Sequence, residues 1–210
     1  LRDHWTLWTL GGGRMDDVIR QEDLLRLAYD QRELNFPPGS EYLYSNTGFM
    51  LLSEVVERVT GEPFGDWMRV NVFAPLGMDD TQVYDDHTRI VKGRAYSYES
   101  GPDGLQKAVL SYANAGATSL FTTAEDLAKW IRTMRTHEVG NAAVWEAMTT
   151  RGVLTTGDTI DYALGLSIGD DRGLRTIGHG GADVGWRASP ERARATCTRE
   201  VGDCSQGSTT

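Results

Sequence analysis

Between Asn46 and Gly61 apolar residues recur at helical spacing, and no other stretch of the chain constrains its fold as firmly. Phe49, Leu52, Val55, Val56 and Val59 follow the 3.6-residue period, and Gly61 stands where a left-handed C-terminal cap is wanted. The chain reaches this helix through Pro37-Pro38-Gly39-Ser40. Two prolines restrict the backbone there and Gly39 permits a reversal, so residues 41–45 should enter the helix from a turn. Tyr44-Ser45-Asn46 is thereby placed at the mouth of an apolar helix.

Other elements follow from the same signals. Residues 16–31 read as one helix or two short ones, broken near Gln21, where Glu22 and Asp23 favour a new N-terminus. A helix is expected from Pro63, with Phe64, Trp67, Met68 and Val72 as its buried stripe, until Pro75-Leu76-Gly77-Met78 closes it. Residues 79–118 are irregular, apart from short strands expected around 94–98 and 107–110. Thr123, followed by Glu125 and Asp126, caps an amphipathic helix whose face is Leu127, Trp130, Ile131 and Met134. Tyr162, Leu164, Leu166 and Ile168 alternate as in a strand over 161–169, with 174–178 as its partner across Asp170-Asp171-Arg172-Gly173. That hairpin runs directly into His179.

Composition excludes some functions. The chain has 210 residues, 40% hydrophobic and 24% charged, enough for one domain or a large part of one. Its formal charge of −9 repels phosphate backbones and anionic headgroups, so nucleic acid is not an expected partner. No apolar run reaches the roughly 18 residues of a membrane span, and none at the start resembles a signal peptide. The chain opens with Leu1 and not Met, so compartment stays open. Beyond Arg187 the composition changes: residues 188–210 contain no Leu, Ile, Met or aromatic residue and one Val. Residues 1–187 are therefore read as a partial domain and 188–210 as a polar, disordered tail. Cys197 and Cys204 lie in that tail; an oxidising compartment would allow a local disulfide, and two unpaired thiols are the plainer reading.

Two motifs could carry chemistry. For Tyr44-Ser45-Asn46, local pattern favours the plainer arrangement, with Tyr44 packed on the core and Asn46 capping the helix. For His179-Gly180-Gly181-Ala182 at a strand end, two glycines would let a ligand approach free backbone N–H groups, although Gly-Gly there more often marks a bulge. His4, His87 and His137 have no partner spacing of the H-E-x-x-H kind, so no metal site is expected.

Taken in order, these segments resemble a known family. Phe36 to Ser40, Tyr44-Ser45-Asn46 with its helix, Thr60-Gly61, Pro75-Leu76-Gly77-Met78, Ala115-Gly116 with the run from Ser119 to Trp130, and His179-Gly180-Gly181 resemble successive landmarks of class C β-lactamase-like serine hydrolases. That group includes β-lactamases, penicillin-binding proteins, D-alanyl-D-alanine carboxypeptidases, D-aminopeptidases and esterases. The resemblance spans about Leu1 to Arg187. It implies an α/β (α+β) fold in which a mostly antiparallel sheet is flanked by helices, with a helical region contributing Tyr44 and the active site in the cleft between them. It implies acyl transfer to water through an acyl-serine, with no metal and no organic cofactor, on a small-molecule ester, amide or peptide. Family members are often exported or periplasmic.

The family uses S-x-x-K for the nucleophile and its activating Lys, then Y-x-N, then a strand motif beginning with Lys or His and containing Gly. By resemblance, Tyr44 relays protons, Asn46 positions substrate, His179 orients it near Tyr44, Gly180 and Gly181 line the site, and the N–H of Ala182 is one oxyanion donor. A Tyr of ordinary pKa near 10 can do this only if a cation favours its phenolate.

The sequence departs from the pattern at two places. No Ser has Lys three positions later, so the nucleophile is absent from these 210 residues. The simplest account is a chain truncated upstream. Where the family continues into further strands and a packed helix, this chain has its polar tail. His179 in place of Lys, and Gly180 in place of the hydroxyl residue of true β-lactamases, remove groups that would hold a substrate carboxylate. That favours an esterase or peptidase over a penicillin-recognising enzyme. The reading from another class is a non-catalytic remnant or binding module with the same cleft.

Overall fold

A computed structural model describes residues 1–183, 186–188 and 193–194. Helix α1 (His4–Leu10) is capped by Asp3, whose carboxylate accepts from the Trp5 N–H. After a turn in which Arg14 is tied to Asp16 and Asp17, strand β1 (Ile19–Arg20) leads into α2 (Gln21–Tyr29). The break expected near Gln21 is there, but the segment before it is turn and strand, because its acids serve the turn and Ile19 is drawn into a sheet. Helix α3 (Asn46–Thr60) ends at Gly61 with φ +75°.

Helix α4 (Phe64–Met68) continues in π-helical form over Arg69–Phe73, its wider turn closed by Ala74 N–H donating to the Arg69 carbonyl. The adjacent Val72 and Phe73 are thus both buried. Strand β2 (Gln82–Val83) follows, then the hairpin of β3 (Tyr98–Gly101) and β4 (Gly104–Lys107), displaced from the strands expected at 94–98 and 107–110. The displacement reflects Gly104, whose φ of +116° fixes the turn at 101–104. Strands β5 (Tyr112–Ala113) and β6 (Leu120–Phe121) precede α5 (Ala124–Thr136), which is capped by Thr123 as expected. Helix α6 (Ala142–Thr149), capped by Asn141, was not expected.

Strand β7 (Ser167–Asp171) pairs antiparallel with β8 (Leu174–Gly178) across Arg172 and Gly173. The strand expected from 161 begins only at Ser167, because Gly165 at φ +85° turns the chain and leaves Leu164 exposed. Strand β9 (Gly181–Asp183) pairs with β10 (Trp186–Ala188), and β11 (Ala193–Arg194) joins the far side of β8. Of the polar tail, Ala188 and residues 193–194 are thus strand. The rest, with Cys197 and Cys204, lies outside the described residues.

Among the described residues the sheets are small, each of two or three strands, and all are antiparallel except the parallel β1–β5 pair. One core joins Val72, Phe73, Leu76, Met78, Val83 and Ala115, and a second joins Ile19, Leu24, Ala28, Met50 and Tyr112. Gly116 closes the space between them. At φ +99° it packs on the α3 backbone so tightly that a Cβ would lie 2.5 Å from the Phe49 carbonyl oxygen and 2.8 Å from Met50 Cα. Only glycine fits that approach.

Helix α3 itself turns differently from its apolar pattern. Its buried residues are Thr47, Met50 and Ser53, whereas Leu52, Val55 and Val59 are more than half exposed. The buried hydroxyls are satisfied: Thr47 Oγ1 donates to the Arg2 carbonyl, and Ser53 Oγ to the Met50 carbonyl. Asp126, 1% exposed, is a further buried polar node. Burial pushes its pKa up, but hydrogen bonds from Lys129, Thr81 and the Asp80 N–H outweigh that and hold it low, tying α5 to the 77–81 turn.

Candidate active site

Tyr44 leaves the extended 41–45 segment just before α3, and His179 leaves the end of β8. Their ring centroids lie 5.7 Å apart, tilted by 34°, although 135 positions (179 − 44) separate them in sequence. Tyr162 stands edge-on to both, 6.0 Å from Tyr44 and 5.9 Å from His179, and Tyr42 lies 5.4 Å from Tyr162. The turn at Gly165 that interrupts the expected strand is what swings Tyr162 into this cluster. The alternation of 162, 164, 166 and 168 signalled a strand face, and nothing local in the sequence marked Tyr162 as a site residue.

Asn46 does not cap α3. Ser45 does, accepting from the Gly48 N–H at 3.4 Å. Asn46 instead gives both its backbone N–H (2.9 Å) and its side-chain Nδ2 (2.8 Å) to Asp3 Oδ2. Asp3 therefore caps α1 with one oxygen and orients Asn46 with the other. The adjoining His4 is fully buried: its backbone N–H donates to Thr47 Oγ1 at 2.8 Å, and its Nδ1 is 3.2 Å from the same oxygen. With the Thr47 proton given to the Arg2 carbonyl, Nδ1 must be the donor, leaving Nε2 an acceptor with no partner among the described residues.

Beyond His179, Gly180, Gly181 and Ala182 are exposed, and Ala182 stands opposite Arg187 in the β9–β10 pair. A Cβ on Gly180 or Gly181 would meet only the Ala188 carbonyl oxygen, at 3.9 and 4.0 Å. Among the described residues, neither position requires glycine for the protein's own packing. The following Asp183 is anchored by Thr118 Oγ1 at 2.5 Å; its burial pushes its pKa up against the hydrogen bonds it accepts.

The electrostatics of the cluster favour neutral phenols. Burial raises the Tyr44 pKa, and the Asp3 carboxylate adds to the rise. Tyr162 is pushed up to about 12, by burial first and then by Tyr44 and Tyr42, and its buried hydroxyl has no partner among the described residues. In this setting Tyr44 does not ionise near neutral pH. A cation placed against it would reverse that tendency. Among the described residues no group of three His, Cys, Asp or Glu side chains could hold a metal ion, and no helix is long and apolar enough to cross a membrane.

The order of these elements can be set against known families, and the Beta-lactamase family model matches residues 5–196. The chain belongs to the Beta-lactamase family. It is 30% identical to a D-aminopeptidase of Cereibacter sphaeroides over 193 residues, covering 90% of this chain and 36% of that protein. It is 26% identical over 189 residues to a D-aminopeptidase of Gluconobacter oxydans, again covering 90% and 36%. The chain thus spans about a third of the length of these curated relatives.

Among solved structures, the penicillin-binding protein of Bacillus halodurans superposes with a TM-score of 0.73 at 26% identity, over 88% of this chain and 58% of that one. A D-stereospecific amidohydrolase from Streptomyces shares the fold, with a TM-score of 0.69 at 24% identity over 83% and 53%. The Beta-lactamase family fold, α/β with antiparallel sheets flanked by helices, is therefore that of this chain.

Proposed function

We propose that this chain forms the Tyr and His side of the cleft of a serine hydrolase that cleaves amides or peptides of D-amino acids. The observation that carries the reading is the 5.7 Å approach of Tyr44 to His179; in this reading the two side chains serve one carbonyl as proton carrier and donor. The D-aminopeptidase relatives favour amides and peptides over the esters and β-lactams that the same chemistry could open.

In this reading an S-x-x-K serine attacks the carbonyl carbon and its proton passes to Tyr44 Oη. Tyr44 then gives that proton to the leaving nitrogen as the C–N bond breaks. Water next attacks the acyl-serine, its proton passing through Tyr44 back to the serine oxygen. Asn46, held by Asp3, keeps its Oδ1 for the substrate, and His179 fixes the substrate beside Tyr44. The Ala182 N–H stabilises the oxyanion together with the serine's own N–H. The Lys of S-x-x-K supplies the cation that Tyr44 needs against burial and Asp3.

The absence of S-x-x-K from these 210 residues favours a second reading for the chain taken alone, a binding module with this cleft. One experiment separates the two. A longer protein carrying this chain with an S-x-x-K segment should release D-alanine from D-alanine p-nitroanilide, and a fluorophosphonate probe should label the S-x-x-K serine. The 210-residue chain alone should show neither. A longer protein inert to the anilide, to p-nitrophenyl esters and to penicillin would leave only the binding module. Labelling of a serine within the chain would overturn the assigned roles.

A further inference from the structure

Beside the aromatic cluster, between α6 and the 150–164 segment, lies an open groove of about 680 Å³. Ala143, Ala147, Ile160 and Leu164 give it apolar walls, and Tyr162 closes the end that adjoins Tyr44 and His179. This volume falls within the range of small-ligand pockets. Glu146 is the single charged side chain of the lining among the described residues. Its carboxylate makes no hydrogen bond or ion pair among the described residues. The arginines that reach this part of the fold are engaged: Arg151 with Asp161 at 3.2 Å and with the Ile168 carbonyl, and Arg175 with the Thr149 carbonyl.

An apolar trough with one uncompensated negative charge complements an apolar group that carries a positive one. We propose that this groove is a subsite for an apolar ammonium group, with Glu146 as its counter-charge. The name of the ligand as a substrate arm rests on the hydrolase reading; the binding itself does not. Because Tyr162 forms both the end of the groove and the edge of the cluster, a molecule seated here has its next bonds beside Tyr44 and His179. A substrate with an apolar side chain and a free amino group meets both demands. A neutral or anionic analogue meets only the first.

The test is binding of 2-phenylethylamine and its neutral isostere 2-phenylethanol to the isotopically labelled chain, followed by NMR. The ammonium should bind about three- to fivefold more tightly, as expected of a partly solvated ion pair, and added salt should shrink the difference. Both ligands should shift the methyl signals of Ala143, Ala147 and Leu164. Glu146→Gln should abolish the preference and leave phenylethanol binding unchanged, while Ala147→Trp should weaken both ligands by filling the trough. Equal affinities, a preference that survives Glu146→Gln, or shifts confined to another surface would overturn the subsite. Loss of hydrolysis in the longer protein with this binding intact would count against the hydrolase reading alone.

Discussion

In a longer protein that carries this chain with an S-x-x-K segment, Tyr44→Phe should lower kcat by about 100- to 10,000-fold while KM changes little. That is the range typical of losing a general acid–base group. The substitution is a narrow one. Phenylalanine keeps the ring that packs 5.7 Å from His179 and 6.0 Å from Tyr162, and removes only the oxygen through which the proposed proton path runs. A packing role would leave turnover nearly intact, whereas a relay would be lost in both the acylation and the deacylation steps. Steady-state kinetics on the anilide decides between them, and an unchanged kcat would remove Tyr44 from the mechanism.

The second large effect concerns acid. His4 is fully buried, and burial, only partly opposed by Asp3, lowers its pKa to about 4. In the unfolded chain the same imidazole titrates near 6.5. Between these values the unfolded state binds a proton that the folded state refuses. His4 burial therefore contributes its full stability above pH 6.5, and that contribution is lost progressively as pH falls toward about 4. At about 1.4 kcal/mol per pH unit, the loss is about 3 kcal/mol.

Carboxylates also begin to titrate at the lower end of this range, so the informative measurement is comparative. Urea unfolding from pH 7 to pH 4 should show a steeper decline for the natural chain than for His4→Gln, whose side chain cannot charge. Parallel declines would mean that His4 is protonated without opening the fold. Because Asp3 caps α1 next to His4, the same loss would loosen the hold on Asn46.

How much of this was legible in the sequence depended on how local the cause was. Helices α3 and α5 were legible because Gly61 and Thr123 act within a turn of their own positions, although the cap of α3 was read at Asn46 and stands at Ser45. Helix α1 was missed because only seven residues, HWTLWTL, carry it and its cap, Asp3, is also committed to Asn46 across 43 positions. The orientation of α3 was misread for a related reason. Thr47 and Ser53 are buried by virtue of specific carbonyl partners, and a pattern of apolar letters cannot see a satisfied hydroxyl. At the site, Tyr44, Asn46 and His179 came from the family motifs alone, since their approach joins a helix entrance to a distant strand end. Tyr162 carried the period of a strand that Gly165 in fact ends.

Tyr162 carries a further consequence, for how such a protein can evolve. Its hydroxyl is buried without a partner among the described residues, a condition that costs about 1–3 kcal/mol, while its ring is held from three sides by Tyr42, Tyr44 and His179. Phenylalanine would keep every ring contact and shed that cost, so a population selected only for a robust fold should drift to Phe at this position. If the oxygen serves substrate or the S-x-x-K segment, a population selected for turnover should hold Tyr against that drift. Sequencing position 162 after selecting one randomised library under each regime separates the two pressures, and the same residue winning under both would show that fold and chemistry make no opposing demands there.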